Sequence, residues 1–153
     1  MSQYVYFTLI SETLTADAIA AEVGIDPDRT SVLGSRQMTP RRIPRVHRWS
    51  LYSTDAAQPI DVQTVAVLGR IAHAAGAIRR LVDRDEVTAE LVFVRLFNDK
   101  DGEEENLDSV TTEDGLGLER IAGQHQLPGW CLEPDQLALL AAMRASIDAD
   151  EYG

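Results

Sequence analysis

The sequence predicts an α+β fold in two layers, a mixed β-sheet of four or five strands with helices packed on one face, in a single domain spanning residues 1–153. Three observations carry that prediction. Runs rich in β-branched and aromatic residues with a period of two recur at residues 4–10, 47–53 and 88–97. A stretch with helical spacing follows each of them, and 153 residues is the length of one ordinary domain. Apolar residues at 44 % and charged residues at 25 % separate the chain from disordered and fibrous classes.

In residues 4–10, Tyr4, Tyr6, Thr8 and Ile10 point one way and Val5, Phe7 and Leu9 the other, and apolar groups on both sides make this a central strand. Thr15 is a helix cap, Ala16, Ile19, Ala20 and Val23 follow at helical spacing, and Gly24 with Pro27 ends the helix. Residues 26–46 hold Pro27, Gly34, Pro40 and Pro44 with little periodicity and read as a long surface connection. The strand after it turns Trp49 and Leu51 inward. One long helix is expected over residues 61–84, with Val67, Leu68, Ile71, Ala75, Ile78 and Val82 as its buried stripe. Arg70, His73, Arg80 and Arg84 form its basic, wet face.

Residues 88–97 form the strongest strand, in which Arg95 is the odd member of the face that carries Ala89, Leu91, Phe93 and Phe97. On a core face Arg95 needs a carboxylate, which Asp148 or Asp150 is placed to supply; at an edge it would reach water instead. Residues 98–114 read as an acidic loop, Leu118, Ile121 and Ala122 as a short helix, and residues 129–133 as a short strand. Pro134 opens a helix that buries Leu137, Leu140, Ala141 and Met143. Residues 146–152 form either a last helical turn or an edge strand, which periodicity leaves open.

The strand YVYFTL, the capped helix running into VGIDPDRT, Gly34, the strand HRWSLYS and the terminal LEPDQLALLAAMRASIDADEYG together resemble the bacterial domain-of-unknown-function family 4279. The resemblance implies a single α+β domain and a strand at residues 146–152. It transfers no catalytic residue. The chain departs from the family pattern at residues 98–127, where an acidic loop insertion and an extra helix are expected.

Acids outnumber bases by 25 to 14, so a net charge of −11 disfavours nucleic acid and anionic membranes as partners. The exception is local. Arg36, Arg41, Arg42, Arg45 and Arg48 place a charge of +5, with no acid, between residues 36 and 48. Guanidinium forks suit phosphate and carboxylate, so these five are the anion-binding candidates. The plainer reading sets them against Asp99, Asp101, Glu103, Glu104, Glu105 and Asp108, which with Lys100 carry −5 and are also the candidates for binding a protein partner.

Several reactive constellations fail on spacing or residue type. Asp99, Asp101, Gly102, Glu105 and Asp108 approach a calcium loop, yet Phe97 stands at its first ligand position, so no metal site is expected. His47, His73 and His125 have no ligand spacing, and Cys131 reads as a packed thiol between Trp130 and Leu132. Gly115 and Gly117 lack the third glycine of a dinucleotide fingerprint, a phosphate loop is missing, and Ser35 does not fit a nucleophile elbow. No cofactor is expected. A single cysteine excludes an internal disulfide, and with no bilayer-length apolar run and no basic leader the cytoplasm is the expected location. The functional expectation is a non-enzymatic interaction module, with an immunity-type protein that neutralises a toxin as its narrower form. The alternatives are anion or nucleic-acid binding through residues 36–48, and an enzyme of unrecognised type.

Overall fold

The computed structural model describes residues 2–53, 55, 58–96, 110–112, 114–118 and 130–152. The elements run β1 (Ser2–Ser11), α1 (Ala16–Val23), β2 (Arg29–Ser31), β3 (His47–Tyr52), α2 (Ile60–Ile71), a 3-10 turn (Ala72–Ala74), α3 (Ala75–Asp83), β4 (Thr88–Leu96), β5 (Val110–Thr111), β6 (Gly117–Leu118), α4 (Pro134–Met143) and β7 (Ser146–Tyr152). Five strands make one mixed sheet in the order β2-β3-β1-β4-β7, antiparallel except for the parallel pair β4–β7. This is the α+β architecture the sequence predicts, with β1 central and residues 146–152 as an edge strand.

Alternation along the strands sends Val5, Phe7, Leu9, Trp49, Leu51, Ala89, Leu91 and Phe93 into the core against the four helices. Trp49 is fully buried, and its indole N–H donates to the Ile25 carbonyl at 3.1 Å, which fixes the turn after α1. Thr15 caps α1 by accepting from the Ala18 N–H at 3.2 Å, and Gly24 ends it in the left-handed region at φ 74°. Gln136 accepts from the Glu133 N–H at 2.9 Å in a capping box that opens α4.

The long helix expected over residues 61–84 is two helices joined by a 3-10 turn. With three residues per turn instead of 3.6, that turn shifts the buried stripe by one residue. Ala74, Ile78 and Leu81 are therefore buried, while Ala75 and Val82 of the expected stripe are half-buried. The change of direction takes the chain from β1, on which α2 packs, to α1 and α4, against which α3 packs. Two of the four residues of its basic face are paired: Arg70 meets Asp28, and Arg84 meets Glu22 and Glu86.

Other expectations change in detail. A short strand, β2, occupies part of the connection at residues 26–46 because its backbone pairs with β3. Leu118 lies in the β5–β6 hairpin, which turns at Gly115 with φ 83°, and not in a helix; the rest of the expected helix lies outside the described residues. Residues 130–133 form no strand, since the Trp130 ring stacks on Phe93 with centroids 4.3 Å apart and leads directly into α4. In α4, Leu140 and Met143 are buried, whereas Leu137 and Ala141 face outward.

Two polar side chains complete the sheet where strands run out. Beyond Tyr6, β1 has no β3 partner, so the buried Gln63 of α2 stands in: its Oε1 accepts from the Val5 N–H at 3.1 Å, and its Nε2 donates to the Gln3 carbonyl at 3.3 Å. Asp28 performs the same service at the end of β3. Its carboxylate accepts two parallel bonds from Arg70, at 2.6 and 2.8 Å, and one from the Tyr52 N–H at 2.7 Å. Arg70 also donates to the Tyr52 carbonyl at 2.9 Å, so both backbone groups of Tyr52 are tied.

Candidate functional site

The second face of the sheet takes the other half of each alternation. The core cluster against the helices takes none of its side chains, yet Thr8, Ser50, Val92 and Val94 of this face are at most 5 % exposed. Tyr4, Tyr6, Thr8 and Ile10 of β1 stand there, with Arg48, Ser50 and Tyr52 of β3, Arg29 of β2, Glu90, Val92 and Val94 of β4, and Asp148 and Asp150 of β7.

Register decides which of these meet. Tyr6 lies opposite Tyr52, and their rings stack with centroids 4.8 Å apart, while Tyr4 is 6.1 Å from each. The Arg29 guanidinium sits 4.5 Å from the centre of the Tyr52 ring, a cation–π contact. Thr8 and Ser50 share a hydroxyl hydrogen bond of 2.9 Å behind them. Burial, followed by the neighbouring Tyr52, raises the Tyr6 hydroxyl pKa above its ordinary value, although Arg48 pulls it down. At the other edge the Asp150 charge is the main cause of a raised Tyr152 pKa. The face is thus ordered in three strips: arginines on β2 and β3, aromatic rings on β3 and β1, and carboxylates on β4 and β7.

Of the anion-binding candidates, Arg48 belongs to this face, and Arg36, Arg41, Arg42 and Arg45 are exposed on the loop joining β2 to β3. That loop is pinned from within. Gln37 and Ile43 form a bridge, the buried His47 accepts the Leu33 N–H on Nδ1 at 3.2 Å, and Gly34 turns the chain at φ 70°, a conformation that side chains rarely adopt. None of the five arginines forms an ion pair with a described residue, whereas Arg70, Arg79, Arg84, Arg95 and Arg144 do. The partner-binding candidates Asp99, Asp101, Glu103, Glu104, Glu105 and Asp108 lie outside the described residues, as does His125.

Arg95 is buried on the helix face and pairs with Glu151 at 3.1 Å, not with Asp148 or Asp150. The parallel register sets Arg95 beside Glu151, and a shift of one residue sends a side chain to the opposite face. Cys131 is exposed, not packed, because Trp130 takes the inward position beside it. Glu133 foremost, and then desolvation and Asp61, raise the Cys131 pKa, which disfavours the thiolate a nucleophile needs. His73 is exposed on the helical layer.

A cleft of about 610 Å³ opens beside the end of β1, lined by Ser11, Glu12, Asp85, Glu86 and Glu90 among others. The Ser11 hydroxyl is already committed there: it donates to the Glu86 carbonyl at 2.6 Å and accepts the N–H groups of Thr13 and Leu14. Among the described residues no group of three or more His, Cys, Asp or Glu side chains is placed to hold a metal ion, and no helix is long and apolar enough to cross a membrane.

Sequence reasoning missed the tyrosine strip. The available signal was the shared parity of Tyr4 and Tyr6, but the third ring comes from Tyr52 through strand pairing that no local pattern specifies. The fold and the site together define a two-layer α+β protein whose sheet is covered by helices on one side and carries polar and aromatic groups on the other. The chain belongs to the family described as Domain of unknown function (DUF4279), matched over residues 2–153. Neither among curated proteins nor among solved structures does any match the chain.

Proposed function

We propose that the protein is a non-enzymatic interaction module, located in the cytoplasm, that recognises a protein partner through the tyrosine-bearing face of its sheet. The observation that supports this most strongly is the stacked group Tyr4, Tyr6 and Tyr52 with Arg29 above its end. Tyrosine and arginine are the residue types over-represented at energetic centres of protein interfaces, because they combine large contact area with directional polar tips. An immunity-type role is a narrower form of this reading, in which the partner is a toxin.

Anion binding through Arg36, Arg41, Arg42, Arg45 and Arg48 is the second reading, favoured by their lack of ion pairs with described residues. The carboxylates Glu90, Asp148 and Asp150 on the same sheet face weigh against a nucleic-acid strand lying across it.

Photo-crosslinking tests the recognition reading. A photoreactive residue at Ser146, exposed on the tyrosine-bearing face, should give protein adducts in the producing cell, and one at Ala66, on the outer side of α2, should give few. Equal adduct yields from the two positions would contradict the assignment of the face.

A further inference from the structure

We propose that β7 is a strand-addition site: an extended segment of a partner protein, alternating basic and apolar residues, pairs with its outer edge and joins the five strands of the sheet as one more. The proposal goes beyond the recognition reading above, since it does not depend on the tyrosine strip.

Its basis is how little covers β7. One side of the strand pairs with β4 over its whole length, and among the described residues no strand pairs with the other. Successive residues of a strand turn their N–H and C=O groups to alternate sides, so the outer edge presents a row of unmet donors and acceptors. Both faces are bare as well. Ile147 and Ala149 stand on the helix side in register with the buried Leu91 and Phe93, yet Ala149 is exposed and Ile147 is 43 % exposed. The helices that cover β4 therefore stop short of β7. Asp148 and Asp150 stand on the opposite side, and neither forms an ion pair with a described residue, whereas Glu151 is held by Arg95.

The side chains of β7 define the occupant. Asp148 and Asp150 alternate with Ile147 and Ala149, so an added strand meets carboxylates on one face and apolar surface on the other. Its matching residues follow with the same period of two: lysine or arginine opposite the aspartates, and a β-branched or aromatic residue opposite Ile147 and Ala149. Main-chain hydrogen bonds would hold such a strand, and these alternate side chains would select it. A second copy of β7 does not fit. Paired antiparallel about Ala149, the register that uses the whole strand, two copies set Asp148 opposite Asp150 twice, and like charges directly opposite destabilise a pair. The other edge of the sheet, β2, is three residues long and cannot match the seven of β7. The aspartates that keep copies apart favour a basic segment, which the net charge of −11 also draws in.

A peptide titration followed through the backbone amide resonances of the protein tests the proposal. The probe is a capped synthetic hexapeptide of alternating lysine and valine. Shift changes should concentrate on residues 146–152. Half-saturation should fall at or below about 1 mM, the weak end of specific affinities. A control peptide with proline for each valine carries the same charge but lacks every second N–H, and should bind at least about tenfold more weakly. The double variant Asp148→Lys, Asp150→Lys should also weaken binding of the lysine–valine peptide at least about tenfold, while unchanged resonances from the core show that it is folded. Equal binding of the two peptides would reduce the contact to charge alone, and shift changes gathered elsewhere would move the site. Shift changes in residues 146–152 on concentrating the protein without peptide would make a second copy the occupant. Each of these results overturns the proposal. If the peptide fails to bind while Ser146 still captures more protein than Ala66, strand addition fails and the recognition reading stands. If the peptide binds at β7 while Ser146 and Ala66 give equal adducts, the edge site stands and the recognition reading fails.

Discussion

Replacing Gln63 by Leu should lower the stability of the protein by about 2–3 kcal/mol, a drop of roughly 5–10 °C in melting temperature for a chain of this size. Leucine fills nearly the same volume, so little of the loss comes from an emptied space. The loss comes from the Val5 N–H and the Gln3 carbonyl, which Gln63 serves at 3.1 and 3.3 Å where β3 no longer reaches β1. A buried amide left without an acceptor costs about 1–3 kcal/mol, more than the hydrogen bond itself contributes net. The consequence reaches the candidate site, since the same stretch of β1 holds Tyr4 in the aromatic strip. Urea denaturation of the two proteins is the check, and a difference under about 0.5 kcal/mol, the range of ordinary surface substitutions, would contradict the role given to Gln63.

Asp28→Asn should remove about 1 kcal/mol at neutral pH, a modest figure because the Asp28–Arg70 pair is about one-third exposed and therefore screened. Its pH dependence is the sharper expectation. The hydrogen bond from Arg70 is the main cause that holds the Asp28 carboxyl below its ordinary pKa of 3.8. A carboxyl with a depressed folded pKa adds stability that is complete above the unfolded value and disappears as the pH falls through the folded one. The stability gap between wild type and Asp28→Asn should therefore stay constant from pH 7 to about pH 5 and close below the ordinary aspartate pKa. A gap unchanged at pH 2 would show that the carboxylate charge is not what Asp28 contributes. Because Asp28 and Arg70 tie both backbone groups of Tyr52, loosening them should also loosen the ring that stacks on Tyr6.

What local pattern could reveal is set by how far each interaction reaches along the chain. The alternation in β1, β3 and β4 and the cap and stop of α1 are encoded within a few residues, and the structure reproduces them. The family resemblance resolved residues 146–152 into the edge strand β7. Features that depend on pairing over long separations were not legible. The stacking of Tyr6 on Tyr52 and the choice of Glu151 for Arg95 both follow from strand register, in which one residue of slip reverses every side chain. The division of the expected long helix was hidden for a related reason: a single 3-10 turn at Ala72–Ala74 leaves the apolar content unchanged and alters only its phase. Gln63 shows a further limit, since a polar residue at a buried helical position reads as a lapse in the stripe until the strand it completes is known.

Hydroxyl-radical footprinting, followed by mass spectrometry of the tyrosine-bearing peptides, addresses the central claim most directly. The protein inside its producing cell should show Tyr6 and Tyr52 labelled at least about threefold less than in dilute purified protein, because an interface core excludes water. Val65 and Leu137, exposed on the helical layer, should keep equal labelling in both states. Unchanged labelling of the tyrosines with protection of Val65 and Leu137 would place the interaction on the opposite side of the molecule and contradict the account.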